Sequence, residues 1–330
     1  MSPQTPERPA TAPEDPTEAL RGILDLQDAG PDPVTGEPRF EGTTPRQVGG
    51  RVFGGQVLGQ SLAAAARTVD DGRPVHSLHG YFIRPGDARR PITFTVEDLR
   101  DGRSFSVRRV LASQEGEAIL AMTCSFQDPA EGLDHQVAMP EGVPAPEDLP
   151  STADILGHIK HPMAEESAWH RPFDIRHVTP ALYLDPPAEA ESVNMVWMRT
   201  FTPLADDPRL HVAALAYASD YTLLEPVLRR HRLVWTQPDM SIASLDHAMW
   251  FHRPARVDEW LLYVQDSPSA QGARGLGRGH VFTRDGLLVA TVAQEGMLRL
   301  PAGHAATAAR AKDVAQRAAV KTILRRTWRR

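Results

Sequence analysis

Cysteine, long apolar runs and an excess of one charge are all scarce in this sequence, and each scarcity excludes a class of protein. Cys124 is the only cysteine, so no disulfide can form within the chain and a reducing compartment is expected. The sequence has neither the roughly 20 consecutive apolar residues that span a bilayer nor, at its start, a basic segment followed by an apolar one. The net charge of −6 at pH 7 gives no general attraction to nucleic acid. We therefore expect a cytoplasmic protein without a nucleic-acid partner.

The rest of the composition is typical of a folded chain, with 41% hydrophobic and 24% charged residues among 330. Two stretches dense in proline predict disorder or a linker rather than packed elements. We predict five parts: a disordered segment at 1–16, a first unit at 17–128, a linker and connecting segment at 129–190, a second unit at 191–303 and a basic tail at 304–330. Thr17 is predicted to cap a short helix at the start of the first unit.

The two units have the same predicted order of elements, an Ala-rich helix followed by strands. The helices are expected over Gln56–Val69 and from Val212 to about Tyr221. Apolar residues then alternate with polar ones, which indicates strands. Dipeptides typical of hairpin turns separate these strands at Asp101-Gly102, Glu115-Gly116 and Asp285-Gly286. Consecutive strands joined by short turns predict antiparallel sheets rather than a doubly wound parallel sheet, which needs a helix between strands.

Short sequence segments recur in both units and indicate an internal duplication. Phe82-Ile83-Arg84-Pro85 matches Phe251-His252-Arg253-Pro254, and Ser77-Leu78 matches Ser244-Leu245, each pair about 170 residues apart. An Ala-rich helix with little polar surface must be buried on most sides. We therefore predict an α+β protein with a tandem, or double, hot-dog fold, in which each unit is a curved antiparallel sheet wrapped around a long central helix.

Five longer segments follow one another along roughly residues 17–300. They are Arg51-Val52-Phe53-Gly54-Gly55-Gln56-Val57-Leu58-Gly59-Gln60, His79-Gly80-Tyr81-Phe82-Ile83-Arg84-Pro85-Gly86-Asp87, Ser244-Leu245-Asp246-His247-Ala248-Met249-Trp250-Phe251-His252-Arg253-Pro254, Ala273-Arg274-Gly275 and Val292-Ala293-Gln294-Glu295-Gly296. With these segments the chain resembles the acyl-CoA thioesterase II family. The resemblance implies a double hot-dog enzyme that hydrolyses fatty acyl-CoA to free fatty acid and CoA, with no cofactor and no metal.

The resemblance also implies a catalytic set of an aspartate, a hydroxyl residue and a glutamine that together hold the attacking water. By motif these are Asp220, Ser244 and Gln294. Threonine is expected at the hydroxyl position, and serine keeps the hydroxyl but lacks the methyl group that restricts the rotamer. A carboxylate can take a proton from water, and the hydroxyl and the amide each offer a donor and an acceptor. Burial at the end of an Ala-rich helix should raise the pKa of Asp220.

Gly54, Gly55 and Gln56 open the first predicted helix and form a candidate oxyanion or substrate-binding site. A helix N-terminus supplies N–H donors and a favourable dipole for the negative charge that develops on the thioester oxygen. Glycine also lets a ligand approach the backbone closely. A simple turn at Gly54-Gly55 is the alternative.

Two further patterns are weaker. Ser61 lies in a sequence that faintly resembles a nucleophile elbow, but the predicted helix surrounds it and no strand–helix turn is expected there. Gly275, Gly277 and Gly279 resemble a phosphate loop only superficially, because no helix follows them. They predict instead a strand that another backbone approaches closely.

Two other functions are open on the same fold. A hydratase or dehydratase would need an Asp–His pair, and the set of Asp220, Ser244 and Gln294 contains no histidine. His247 and His252 fall on opposite faces of a predicted strand, so they form no metal pair either. A non-catalytic acyl-CoA sensor would bind the same ligand without turnover.

The basic tail and the sheet edges bear on partners other than acyl-CoA. Eight basic residues and one acid lie between Arg310 and Arg330, and apolar residues recur there every four positions. We expect a basic helix that is solvated or docked, with peripheral contact to acidic membrane lipid as the alternative. Exposed sheet edges favour a homo-oligomer.

One working catalytic set per chain is expected, in the second unit. Ser77 is the expected counterpart of Ser244, whereas the position of Gln294 falls on Cys124 or Ser125, depending on how the repeats are aligned. The first Ala-rich helix carries no carboxylate. Without a base the first unit cannot take a proton from water, so we expect it to serve as a scaffold.

Overall fold

The structure is a computed structural model that describes residue 6 and residues 8–10, 12–45 and 47–300 of the chain. The predicted basic tail at 304–330 and part of the predicted disordered segment at 1–16 lie outside these residues. The described helices are α1 (Pro16–Leu24), α2 (Gly54–Ala66), α3 (Thr152–Leu156), α4 (Pro162–Glu165), α5 (Pro208–Ser219) and α6 (Glu225–Arg230). The described strands are β1 (Gln27–Pro31), β2 (Pro38–Gly42), β3 (Val75–Phe82), β4 (Ile92–Asp101), β5 (Phe105–Gln114), β6 (Glu117–Gln127), β7 (Phe173–His177), β8 (Val193–Thr200), β9 (Ser241–Ser244), β10 (Asp246–Phe251), β11 (Leu261–Gln271), β12 (Arg274–Thr283) and β13 (Leu288–Arg299).

The strands join in one 13-stranded sheet whose order is the same on both sides of its centre. From the centre outward, β3-β6-β5-β4-β2-β1 lies on one side and β10-β13-β12-β11-β8-β7 on the other, with β9 paired to β13. The paired strands run antiparallel throughout. This symmetry confirms the predicted tandem hot-dog fold. Strand β7 lies inside the segment predicted as a connection, so the second half of the sheet begins before residue 191.

Hairpin turns lie where the dipeptides predict them. Glu115 and Gly116 join β5 to β6 with φ angles of 49° and 82°, the left-handed conformation that a tight hairpin turn requires. Gly286 lies in the turn between β12 and β13 with a φ of 91°. Because side chains alternate across a strand, each turn fixes which set faces the core. Along β6 the buried side chains alternate from Leu120 to Phe126.

Helix α1 ties the start of the chain to the second unit. Its N-cap is Asp15, whose Oδ1 accepts the Thr17 N–H at 2.8 Å. The prediction that Thr17 caps this helix is therefore wrong. The Thr17 side chain is buried, and its Oγ1 accepts the N–H groups of Phe201 and Thr202, each at 3.2 Å. The Thr17 hydroxyl thus links α1 to the second unit. Helix α1 also packs against α2 and α5.

The central helices of the two units, α2 and α5, run antiparallel and touch. Glycine makes their contact close: a Cβ on Gly55 would lie 2.1 Å from Tyr217 O, and one on Gly59 would lie 2.8 Å from Ala213 O. No larger residue fits at either place unless a helix moves. The start of α2 is therefore held against the end of α5, and buried apolar side chains of both units form one core around them.

Gly277 on β12 is a second place of close approach. A Cβ there would lie 2.1 Å from the Leu223 carbonyl oxygen. This agrees with the expectation that the glycines of this strand mark the approach of another backbone. Leu223 belongs to the segment that follows α5, so the contact fixes the chain directly after the helix.

Replacing Gly277 with alanine should lower the free energy of unfolding by about 1–3 kcal/mol, because the added methyl group must displace a backbone carbonyl. Gly22→Ala is the matched control. Gly22 lies inside α1 with open space around it, so that change should raise the free energy of unfolding by about 0.5–1 kcal/mol. Urea unfolding measures both values. A Gly277→Ala variant as stable as the wild type would contradict the close contact.

Candidate active site

Asp220 ends α5 at the point where α2 begins. Helix α5 starts after Asp207, which caps it by accepting the Arg209 N–H at 2.9 Å, and Asp220 is its C-cap residue. The Oδ2 atom of Asp220 accepts the N–H of Gly55, in the first turn of α2, at 2.8 Å. The carboxylate therefore lies between the C-terminus of one central helix and the N-terminus of the other.

Ser244 and Gln294 reach this carboxylate from neighbouring strands. Ser244 ends β9, which pairs with β13, the strand that carries Gln294. The Ser244 hydroxyl donates to Asp220 Oδ1 at 3.3 Å, and Gln294 Nε2 donates to Ser244 Oγ at 2.8 Å. The structure thus brings together the three residues that the sequence motifs select, in one hydrogen-bonded chain.

The surroundings of Asp220 make its carboxylate a base suited to neutral pH. Burial raises the pKa of Asp220 to about 6, and hydrogen bonds from Gln294, Gly55 and Ser244 oppose this shift. The side chain keeps partial access to solvent. A carboxylate with a pKa near 6 is ionised at neutral pH and accepts a proton more readily than an exposed aspartate does.

The three candidate oxyanion residues at the start of α2 differ in what their N–H groups bond. The Gly55 N–H is occupied by Asp220, so it holds the carboxylate rather than a substrate oxygen. The Gln56 N–H donates to Phe53 O at 3.1 Å, and its buried side chain donates to Thr44 Oγ1 at 2.9 Å. The Gly54 N–H meets no acceptor among the described residues. A Cβ on Gly54 would lie 2.7 Å from Asp220 Oδ2, so the carboxylate needs glycine there.

A histidine that the sequence motifs do not single out completes the polar chain. His247 on β10 is 1% exposed; its Nδ1 bonds Gln294 Oε1, and its Nε2 lies 2.9 Å from Ser219 Oγ. Burial lowers the pKa of His247 to about 4, and the hydrogen bond with Gln294 opposes this shift. The imidazole is therefore neutral at neutral pH. The available signal was its place three residues after Ser244 in the same segment.

The first unit has no equivalent of this site. Counted from the equivalent hairpin turns, Cys124 on β6 takes the place of Gln294. Val75 takes the place of Ser244 in the strand pairing, so the expected equivalence of Ser77 and Ser244 is wrong. The match between Ser77-Leu78 and Ser244-Leu245 is two residues out of step with the strand pairing, in which Ser77 takes the place of Asp246.

Arg108 occupies the corresponding space in the first unit. It stands on β5 at the position that Gly277 holds on β12. Its side chain is 2% exposed and forms ion pairs with Asp98 and Asp101. The guanidinium also donates to Thr68 Oγ1 at 3.0 Å. A buried guanidinium that is engaged in this way offers no base at this place.

Neither a metal centre nor a membrane span is formed by the described residues. In that part of the chain no group of three or more His, Cys, Asp or Glu side chains is placed to hold a metal ion. No helix there is long and apolar enough to cross a membrane.

Comparison with known proteins agrees with the predicted family and fold. A family model described as acyl-CoA thioesterase matches residues 185–297, and one described as acyl-CoA thioesterase N-terminal domain matches residues 43–127. Acyl-CoA thioesterase 2 of Haemophilus influenzae is 38% identical over 256 residues, which cover 76% of this chain and 88% of the relative. Acyl-coenzyme A thioesterase 8 of Homo sapiens is 37% identical over 313 residues, which cover 91% of this chain and 97% of the relative.

A solved structure extends this likeness to three dimensions. The acyl-CoA thioesterase II TesB2 from Mycobacterium marinum is 45% identical, has a TM-score of 0.68, and the match covers 86% of this chain and 98% of that one. A relative of this similarity over most of the chain establishes family membership. The chain is therefore an acyl-CoA thioesterase, a thioester hydrolase that belongs to the double hot-dog acyl-CoA thioesterase II family.

Proposed function

We propose that the chain hydrolyses fatty acyl-CoA by direct attack of a water molecule that Asp220 deprotonates. The observation that carries this proposal is a partly buried carboxylate with a raised pKa, held by Gly55 and linked to Ser244 and Gln294. Such an arrangement supplies a general base together with groups that orient one water. It matches the chemistry that a thioester requires, because water is a poor nucleophile until it loses a proton.

The proposed reaction has two steps. In the first, a water O–H gives its proton to Asp220 as the water oxygen bonds to the thioester carbon and the carbonyl oxygen becomes negative. The Gly54 N–H, at the positive end of the α2 dipole, is the proposed donor to that oxygen. In the second, the C–S bond breaks, CoA leaves as a thiolate, and Asp220 returns the proton to the sulfur. Ser244 and Gln294 hold the water until it attacks.

Ser244 and Ser61 are the serines that could compete with water as the nucleophile. A nucleophilic serine needs a base against its hydroxyl, and Ser244 meets this condition because its hydroxyl donates to Asp220. Attack by water therefore predicts that no acyl adduct forms on Ser244, which mass spectrometry after incubation with acyl-CoA tests. Ser61 lies inside α2, where it is fully buried and its hydroxyl has no partner among the described residues. The structure therefore gives no support to the faint nucleophile-elbow pattern.

The two rival functions fit the contacts less well. A hydratase or dehydratase would use an Asp–His pair, and in this chain the nearby histidine contacts Gln294 and Ser219 instead of Asp220. A binding-only sensor gives no reason to bury a carboxylate at a cost in stability. Strands β1 and β7 end the sheet and could pair with a further chain, which supports the predicted homo-oligomer. The cytoplasmic location and the lipid contact of the tail stay predictions.

Asp220→Asn should lower turnover by about 10²–10⁴-fold, the usual loss for a general base. The amide can still accept from Gly55 and donate to Ser244, so the fold should persist. The measurement is release of free CoA thiol from a short-chain acyl-CoA, with a melting curve for each variant. At neutral pH the variant should be at least as stable as the wild type, because it no longer buries an ionised carboxylate.

Asp207→Asn is the matched control for this prediction. It makes the same chemical change at the other end of α5, where asparagine caps a helix as well as aspartate does. It should leave thiol release close to that of the wild type. Full activity in a folded Asp220→Asn variant would overturn the proposed role of Asp220. Absence of thiol release by the wild type would favour the sensor.

Gln294→Ala should lower turnover by about 10²-fold or more, because the water loses one of its orienting groups. Ser77→Ala and Cys124→Ala, in the first unit, should each change turnover by less than about tenfold, because no base accompanies them. Thiol release by the three variants, compared at equal folded concentration, tests the asymmetry. Similar losses in both units would mean that each unit carries a working site.

A further inference from the structure

The catalytic set continues into a buried polar chain that ends inside α5. Beyond Gln294 the hydrogen bonds continue to His247 and then to Ser219, the last residue of α5, directly before Asp220. His247, Ser219 and Gln294 are each at most 1% exposed. These hydrogen bonds therefore begin at Asp220 and end at Ser219, two adjacent residues at the end of α5, and they close a loop through three strands, β9, β13 and β10.

We infer that His247 is a positioning residue: it fixes the orientation of the Gln294 amide and, through it, the hydrogen bond that Ser244 donates to Asp220. This inference rests on the proposed role of Asp220 as the base. His247 touches neither the carboxylate nor the water position, so it acts only through Gln294.

The orientation of an amide depends on what each end can bond. When His247 carries its proton on Nδ1, that N–H donates to Gln294 Oε1 and the amide NH₂ must face Ser244. The Ser244 oxygen then accepts from the amide, which leaves its own hydrogen for Asp220 Oδ1. In this arrangement every hydrogen in the chain is directed toward the carboxylate.

The other neutral form of the imidazole reverses the direction of these hydrogen bonds. With the proton on Nε2, the bare Nδ1 accepts, so the Gln294 NH₂ turns toward His247 and Oε1 turns toward Ser244. The Ser244 hydroxyl then donates to the amide oxygen, and Asp220 loses that donor. The two tautomers of one buried histidine thus correspond to two hydrogen-bonding states of the base.

Ser219 is the partner of the other ring nitrogen, Nε2. Its single hydroxyl hydrogen has three acceptors in reach, His247 Nε2 at 2.9 Å, Ala216 O at 2.8 Å and Met249 Sδ at 3.4 Å. Donation to Nε2 requires that nitrogen to be bare and stabilises the Nδ1–H form. The Tyr263 hydroxyl, from β11, donates to Ser219 O at 3.2 Å and holds this end of α5 in place.

The first unit indicates that the hot-dog frame does not need this polar chain. Where the second unit has His247 and Ser219, the first has Leu78 and Ala66, both buried. An apolar side chain therefore fits the equivalent place in the same architecture. This makes His247→Leu a reasonable substitution for the fold and assigns the polar chain to the chemistry rather than to packing.

The test is the pH dependence of kcat/KM for the wild type, His247→Leu and His247→Asn. Leucine frees the amide, so Asp220 loses a donor to its ionised form; the inflection should move to higher pH by about one unit, and the plateau should fall about tenfold. Asparagine places an N–H close to where Nδ1–H lies. It should therefore return the inflection to within about half a unit of the wild-type value.

His211→Leu is the matched control. His211 is 3% exposed, lies near the start of α5, and its Nδ1 accepts the Val257 N–H at 3.2 Å, away from the polar chain. Its replacement should lower the melting temperature without moving the inflection. A merely structural role of His247 predicts the same behaviour for both leucine variants, so equal inflections in them would overturn the inference.

A second measurement reads the tautomer in the wild type itself and uses a variant only to assign the resonance. In wild-type protein labelled with ¹⁵N-histidine, the resonance lost in His247→Asn should show a protonated Nδ1 and a bare Nε2 throughout neutral pH. A protonated Nε2 would overturn the inference. The outcomes are distinct from failure of the proposed function, which would appear as a fully active Asp220→Asn variant.

Discussion

The close approach of the start of α2 to the end of α5 is the constraint on which the site depends. Gly55 has no room for a side chain because Tyr217 O lies where its Cβ would be. The same approach brings the Gly55 N–H to 2.8 Å from Asp220 Oδ2. One contact therefore joins the two units, shields part of the carboxylate from solvent and gives it a fixed donor. The opposed effects of burial and hydrogen bonding then set the pKa of Asp220 near 6.

The two units have the same strand order, but different residues occupy one equivalent position on β5 and β12. In the first, the Arg108 guanidinium is buried and engaged by Asp98 and Asp101, so its charge serves the fold. In the second, glycine stands at the corresponding position, and the segment after α5 packs against it. In the second unit a backbone segment therefore fills the space that a charged side chain fills in the first. The Asp220 carboxylate at the end of α5 is the charged group of the site.

The sequence predicts the repeated elements and misses contacts that depend on register. Alternation and turn dipeptides are local signals, so hairpins such as Glu115-Gly116 are placed correctly. Family motifs select Asp220 but cannot show that Gly55 binds it, because that contact joins residues far apart in the chain. The repeated Ser-Leu pairs are two residues out of step with the strand pairing, and only the pairing shows this. The role of Thr17 cannot be predicted from local sequence either, because its partners lie in the other unit.

We propose that the ionised form of one buried carboxylate, Asp220, activates water. The most direct test is the dependence of wild-type kcat/KM on pH, measured by thiol release from a short-chain acyl-CoA over about pH 4.5–8.5, because this parameter reports the pKa of the essential base in the free enzyme. Burial raises that pKa from 3.8, so activity should be lost as pH falls through about 6 and be constant above it. A profile that stays flat down to about pH 4.5 would contradict the account, because it would describe an ordinary exposed aspartate or no carboxylate at all.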